Sequence, residues 1–155
     1  MSIKGREDLG LSIGVNDLDV KRINDHVSVS PQIRPEDVKA IKALGFAAIV
    51  NNRPDGESPD QPVGAEIEKA AHEAGLSYHF IPLGREGVTP GMIEQTKEVL
   101  EGSTGPVFCY CRSGTRSTTL WALSQAGKAP ASDIISAAAH AGYDMSHLAG
   151  HLSQK

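Results

Sequence analysis

The stretch Val107–Ser117, VFCYCRSGTRS, leaves this chain little freedom of fold. An apolar run ends at Cys111, the chain turns through Arg112, Ser113, Gly114 and Thr115, and Arg116 opens a segment with helical periodicity. The unit therefore reads as strand, tight loop and helix. A loop of this kind turns successive backbone N–H groups toward one centre, and the positive end of the following helix points at the same place. A cysteine at that centre suits nucleophilic chemistry, because the thiolate is the reactive form and a helix N-terminus beside arginines favours it. Cys111 is accordingly read as a nucleophile and Arg116 as the clamp for an anionic group. Arg112, Ser113, Gly114 and Thr115 form the anion-binding loop between them. Ser117, one step past the clamp, is expected to donate to the thiolate and to cap the helix.

The rest of the chain supplies the sheet that such a unit needs. DVKRI and HVSVS predict two short strands paired through Asn24-Asp25, and Pro35-Glu36-Asp37 predicts the first turn of a helix that Gly45 ends. Core strands are expected over Phe46–Asn52, from Leu76 through Pro82, and over Gly105–Tyr110. Helices are expected over Ala65–Gly75, Pro90–Gly102, Arg116–Ala126, Ser132–Ala141 and Ser146–Leu152. This alternation predicts an α/β fold with a parallel-sheet core flanked by helices, its ligand site beyond the carboxyl ends of the strands. The loops RPDGE, LGREG and CRSGT should converge there. That convergence makes Arg53, Asp55, Arg85 and Glu86 further anion-binding candidates, with a solvated turn as the plain alternative for Arg53 and Asp55.

Bulk properties narrow the function classes. The 155 residues suffice for one domain with its own core, and we divide them into an extension over 1–18 and a single domain over 19–155. A net charge of −4 argues against a nucleic-acid-binding face. No apolar run approaches the roughly 20 residues of a spanning helix, so no membrane is expected. With two cysteines, Cys109 and Cys111, no disulfide framework is implied, and a reducing cytoplasm is the expected location. Cys109 lies two residues before Cys111 on the same strand face and is read as a buried core thiol. His147 and His151 share a helical spacing but lack a third ligand, so no metal or other cofactor is expected, and His72, His79 and His140 carry no pattern. Trp121 is expected to pack the active-site helix against the sheet.

Three stretches carry a resemblance: VSPQIRPEDVKAIKALGFAAIVNNRPDGESPDQP, IPLGREGVTP and YCRSGTRSTTLWAL. They resemble the bacterial beta-lactamase-hydrolase-like, phosphatase-like domain family over roughly Asp19 to Leu152. The resemblance implies a protein tyrosine or dual-specificity phosphatase-like fold. It also implies a link to persulfide-oxidising enzymes, since some relatives are fused to persulfide-handling metallo-hydrolases, and the family has been treated both as phosphatase and as sulfurtransferase.

The residues weigh those two chemistries. Tyrosine and dual-specificity phosphatase loops place five residues between cysteine and arginine, whereas Cys111 and Arg116 enclose four, as in rhodanese loops. Tyr110 stands where such phosphatases carry histidine. Arg85 stands three residues past Pro82, where dual-specificity phosphatases place a general-acid aspartate, with Glu86 beside it. General acid help with an alkoxide or phenoxide leaving group is typically worth roughly 10² to 10⁴ in rate. Sulfite leaving from thiosulfate needs little protonation. The leading expectation is thus a cysteine-nucleophile sulfurtransferase that carries a persulfide on Cys111. Its partners would be a small anionic sulfur donor, of thiosulfate or glutathione-persulfide type, and a thiol acceptor. The alternative is a phosphatase working through a phosphocysteine. A third reading, from outside enzymology, is an anion-binding or redox-sensing module.

Overall fold

In the computed structural model, which describes residues 18–153, five strands make one sheet. They are β1 (Lys21–Arg22), β2 (Val27–Ser30), β3 (Ala48–Asn51), β4 (Ser77–Phe80) and β5 (Val107–Tyr110). Their order is β1-β2-β5-β3-β4, with β1 antiparallel to β2 and every other pair parallel. The β1–β2 hairpin turns where expected, because the Asn24 side-chain oxygen accepts from the amides of His26 and Val27, each at 2.8 Å. Residues 1–17 of the expected extension lie outside the described residues, and Leu18 packs on the core.

Helices cover both faces. On one lie α1 (Val38–Ala43), which follows a 3-10 turn at Pro35–Asp37, and α2 (Gly64–Glu73). They bury Ile41, Ile67 and Ala71 against Ile49, Phe108 and Tyr110 of the sheet. On the other lie α3 (Pro90–Gly102), α4 (Thr115–Ser124), α5 (Ala131–His140) and α6 (Ala149–Leu152), the last preceded by a 3-10 turn at Ser146–Leu148. They bury Leu100, Trp121, Ile134 and Leu152 against Val29, Val50 and Cys109. Residues alternate between the two clusters along β5, as the period of two along a strand requires. Trp121 packs α4 against the sheet as expected.

One strand departs from expectation. The pattern from Leu76 predicts a core strand, but β4 is the edge of the sheet, with Ser77 exposed and Phe80 46% exposed. Only its flanks, Leu76 and Ile81, are buried. A continuous apolar run marks a strand that starts and ends in the core, and it does not distinguish centre from edge.

The register places the site. Ser30, Tyr110, Asn51 and Phe80, the last residues of β2, β5, β3 and β4, stand in one row across the sheet. All four following loops therefore start from the same edge, with the β5 loop between the others.

Candidate active site

Gly114 N–H donates to the Cys111 sulfur at 3.0 Å. This contact depends on the turn: Gly114 has φ +97°, a left-handed conformation that costs a residue with a side chain roughly 1–2 kcal/mol. Cys111 lies at the floor of the loop with no exposed surface, its own amide donating to Ser30 carbonyl at 3.3 Å. Among the described residues, the amides of Arg112, Ser113, Arg116 and Ser117 take no protein acceptor. These unpaired donors, at the start of a ten-residue helix, are what an anion requires.

Arg116 is held by three hydrogen bonds to two partners. Its two terminal nitrogens donate to the two carboxylate oxygens of Glu57, both at 2.8 Å, and Nη1 also donates to Leu83 carbonyl at 2.9 Å. Glu57 is shared, because its Oε1 accepts from Arg53 Nε at 2.9 Å as well. The Arg116 hydrogen bonds, helped by Arg53 and opposed by partial burial, hold the Glu57 carboxyl down at about 2. The same pairing raises the pKa of Arg116, with a further contribution from the neighbouring Cys111. Arg53 itself is 3% exposed, and it also donates to Gln32 Oε1 at 3.0 Å and to the Ser58 hydroxyl at 3.3 Å.

Two further residues fix the frame. Buried Asn52, just past β3, donates to Ile81 carbonyl at 2.9 Å and accepts from the Ser117 hydroxyl at 2.8 Å, joining the ends of β3 and β4 to α4. Tyr143, between α5 and α6, donates to Ser113 carbonyl at 2.9 Å. A β-carbon on Gly114 would lie 2.1 Å from the Tyr143 hydroxyl, so the ring rests directly on the loop. Burial and the Cys111 charge both push the Tyr143 phenol up.

Several expected roles change. Ser117 is the third residue of α4, so it is no cap, and its hydroxyl serves Asn52 and not the sulfur. Asp55 points away: its carboxylate accepts from Gly64 N–H at 2.8 Å at the start of α2, beside Tyr78 and Phe80. Arg85 and Glu86 are exposed and make no side-chain hydrogen bond among the described residues. The loop that carries them reaches Arg116 through the Leu83 carbonyl alone. Ser113 and Thr115 bond one another through their hydroxyls at 3.1 Å, bracing the rim. Arg112 is exposed and lines a neighbouring cleft with Gln32 and Arg34. Of the candidates, then, the Cys111–Arg116 loop and Arg53 come together, while Asp55 does not.

Sequence reasoning missed Glu57, Asn52, Gln32 and Tyr143. Only Glu57 left a signal, standing four residues after a buried arginine. Cys109 behaves as read: it is buried in the core, and desolvation with the Cys111 charge pushes its thiol up to about 12. Tyr110 faces the α1 and α2 side, so its departure from the histidine pattern leaves the inner wall of the loop untouched.

The model of the beta-lactamase hydrolase-like protein, phosphatase-like domain matches residues 19–129. The chain belongs to that family. A beta-lactamase hydrolase-like protein of Agrobacterium fabrum is 36% identical to this phosphatase-like domain over 126 residues, which are 80% of this chain and 29% of that protein. A protein of the same description from Xylella fastidiosa is 35% identical over 103 residues, 66% of this chain and 24% of its own length. The chain thus spans about a quarter of the curated relatives it matches. Among solved structures, a candidate phosphatase from Neisseria meningitidis superposes with a TM-score of 0.75 at 28% identity, covering 92% of this chain and 98% of its own. PTPMT1, solved with PI(5)P, gives a TM-score of 0.64 at 16% identity and covers 86% and 91%. The fold of this phosphatase-like domain is that of the tyrosine and dual-specificity phosphatases. Among the described residues, no helix is long and apolar enough to cross a membrane.

Proposed function

We propose that this domain hydrolyses phosphate monoesters through a phosphocysteine on Cys111. The observation that carries the reading is the Cys111 sulfur under the Gly114 amide, in a loop whose other amides at Arg112, Ser113, Arg116 and Ser117 take no protein acceptor, beside an arginine fixed on Glu57. Family membership and the phosphatase fold support it.

In the first step the Cys111 thiolate attacks phosphorus and the ester oxygen departs with the bonding pair. Loop amides and Arg116 take the charge on the equatorial oxygens. Glu57 cannot supply the leaving group's proton, being ionised and bound to two arginines. Asp55 is occupied at α2. Glu86 is the carboxyl left for that task. It is exposed, and its carboxylate lies over Gly84, the residue that follows Leu83 in the chain. Water then attacks the phosphocysteine, gives its proton to Glu86, and releases inorganic phosphate and the thiolate.

Two observations keep a second reading in play. The loop holds four residues between Cys111 and Arg116, and no carboxyl is hydrogen-bonded into it as an acid. Both suit sulfur transfer, in which Cys111 attacks the outer sulfur of thiosulfate or a persulfide, expels sulfite or a thiolate, and passes the sulfur to a second thiol. A cytoplasmic setting and a persulfide-oxidising partner belong to this reading.

One experiment separates the two. The wild-type and Cys111→Ser proteins are incubated with phenyl phosphate and, separately, with thiosulfate, and phosphate release and intact mass are followed. Phosphate release that requires Cys111 establishes the phosphatase. One extra sulfur atom that requires Cys111 and is removed by cyanide, without phosphate release, establishes the sulfurtransferase.

A further inference from the structure

Beside the Cys111 loop lies a second basic cleft of about 320 Å³, lined by Gln32, Arg34, Arg53, Ser58, Asp60 and Arg112, among others. The loop that follows β2 forms one wall and the loop that follows β3 the other. Arg112 connects the cleft to the nucleophile, being its immediate neighbour in the chain, and its carbonyl accepts from Gln32 N–H at 3.3 Å. The cleft and the reaction centre also share one carboxylate, since Glu57 Oε1 accepts from Arg53 on the cleft side and from Arg116 on the loop side. The cleft thus adjoins the reaction centre, with one carboxylate between them.

Three arginines line the cleft against two carboxylates: Glu57, which Arg53 shares with Arg116, and Asp60, which accepts from the Ser58 hydroxyl at 2.9 Å and is held below its ordinary pKa by that bond and by the charges of Arg53 and Arg34. Arg34 and Arg112 are exposed, and neither pairs with a carboxylate among the described residues. Two guanidinium groups facing one cleft make a fork-shaped donor set that suits a phosphate or carboxylate better than a neutral group.

We infer that this cleft is a second anion subsite, and that the domain acts on small phosphoesters carrying another phosphate or a carboxylate a few atoms from the reacting group. The inference rests on the proposed hydrolase reading for its catalytic meaning, while the binding claim stands without turnover. Arg34 and Arg112 hold the second anion, Arg53 forms the fixed floor, and Cys111 with Arg116 takes the first.

The test is calorimetric titration of the 155-residue Cys111→Ser chain with phenyl phosphate, 3-carboxyphenyl phosphate and 1,3-phenylene bisphosphate at one salt concentration. The bisphosphate is expected to bind about tenfold more tightly than phenyl phosphate, as one added charge-assisted contact implies. Adding Arg34→Ala should abolish that preference while phenyl phosphate affinity changes less than about twofold. A matching gain for the carboxylate compound makes the subsite a general anion site, and a gain for the bisphosphate alone makes it a phosphate site. Equal affinities for mono- and bisphosphate, no measurable bisphosphate binding, or a preference that survives Arg34→Ala overturns the inference. Failure of the hydrolase reading has a different signature, namely no phosphate release from phenyl phosphate by the wild-type protein.

Discussion

Arg116 gives both terminal guanidinium nitrogens to the Glu57 carboxylate, 2.8 Å each, across 59 residues of sequence. A bidentate pair fixes the plane of the guanidinium as well as its position. In the proposed reaction this guanidinium is aligned before any anion arrives, and the energy of aligning it is not drawn from binding.

Glu57→Gln removes one acceptor oxygen and the charge, so Arg116 is free to swing. We expect kcat/KM for phenyl phosphate to fall by about 10² with the fold intact by circular dichroism, and Arg116→Lys to fall at least as far, because an ammonium cannot make the planar fork. Steady-state kinetics on both variants checks this. Wild-type rates in Glu57→Gln would show that the pair is a surface contact only.

The same carboxyl sets a pH dependence. Glu57 titrates at about 2 in the folded chain against an ordinary value of 4.5, so its contribution to stability is complete above about pH 4.5 and is lost as pH falls toward 2. Urea unfolding of wild type and Glu57→Gln should show the widest stability gap near about pH 6 and a gap shrinking steadily by about pH 2.5. A gap independent of pH would contradict the pairing.

Ser117→Ala distinguishes a frame residue from a chemical one. It leaves the buried Asn52 oxygen without its donor, which costs about 1–3 kcal/mol of stability. Unfolding should register that loss, and activity should drop only modestly. A large loss of rate at unchanged stability would return Ser117 to the thiolate.

Gly114→Ala meets two obstacles, the positive φ and the Tyr143 ring. We expect a loss of several kcal/mol in thermal or urea unfolding, part of it recovered in Gly114→Ala/Tyr143→Ala, where the steric conflict is gone and the backbone strain remains. No recovery in the double variant would mean that the ring does not rest on the loop.

The strand, turn and helix that carry Cys111 and Arg116 were legible in sequence because they are local, falling within eleven consecutive residues. So was the parallel core, whose strands are apolar runs, although the pattern did not separate edge strand β4 from the centre. The partners that position the clamp were not legible. Asn52 and Glu57 look like ordinary loop polars, and they gain their roles only when four strand ends align in one row. Asp55 misled for the complementary reason: its proximity to Arg53 in sequence says nothing of its direction, and the free N–H of Gly64 claims it. Ser117 was misassigned because a helical hydroxyl has several acceptors within reach, and Asn52 was invisible as one of them.

The contact of Tyr143 with the Ser113–Gly114 turn sets how much chain the chemistry needs. The family match ends at residue 129, yet the outer wall of the reactive loop comes from residue 143. A shortened chain that keeps the whole signature would retain its nucleophile and lose its retaining wall, so the smallest portable unit is longer than the part by which the family is recognised.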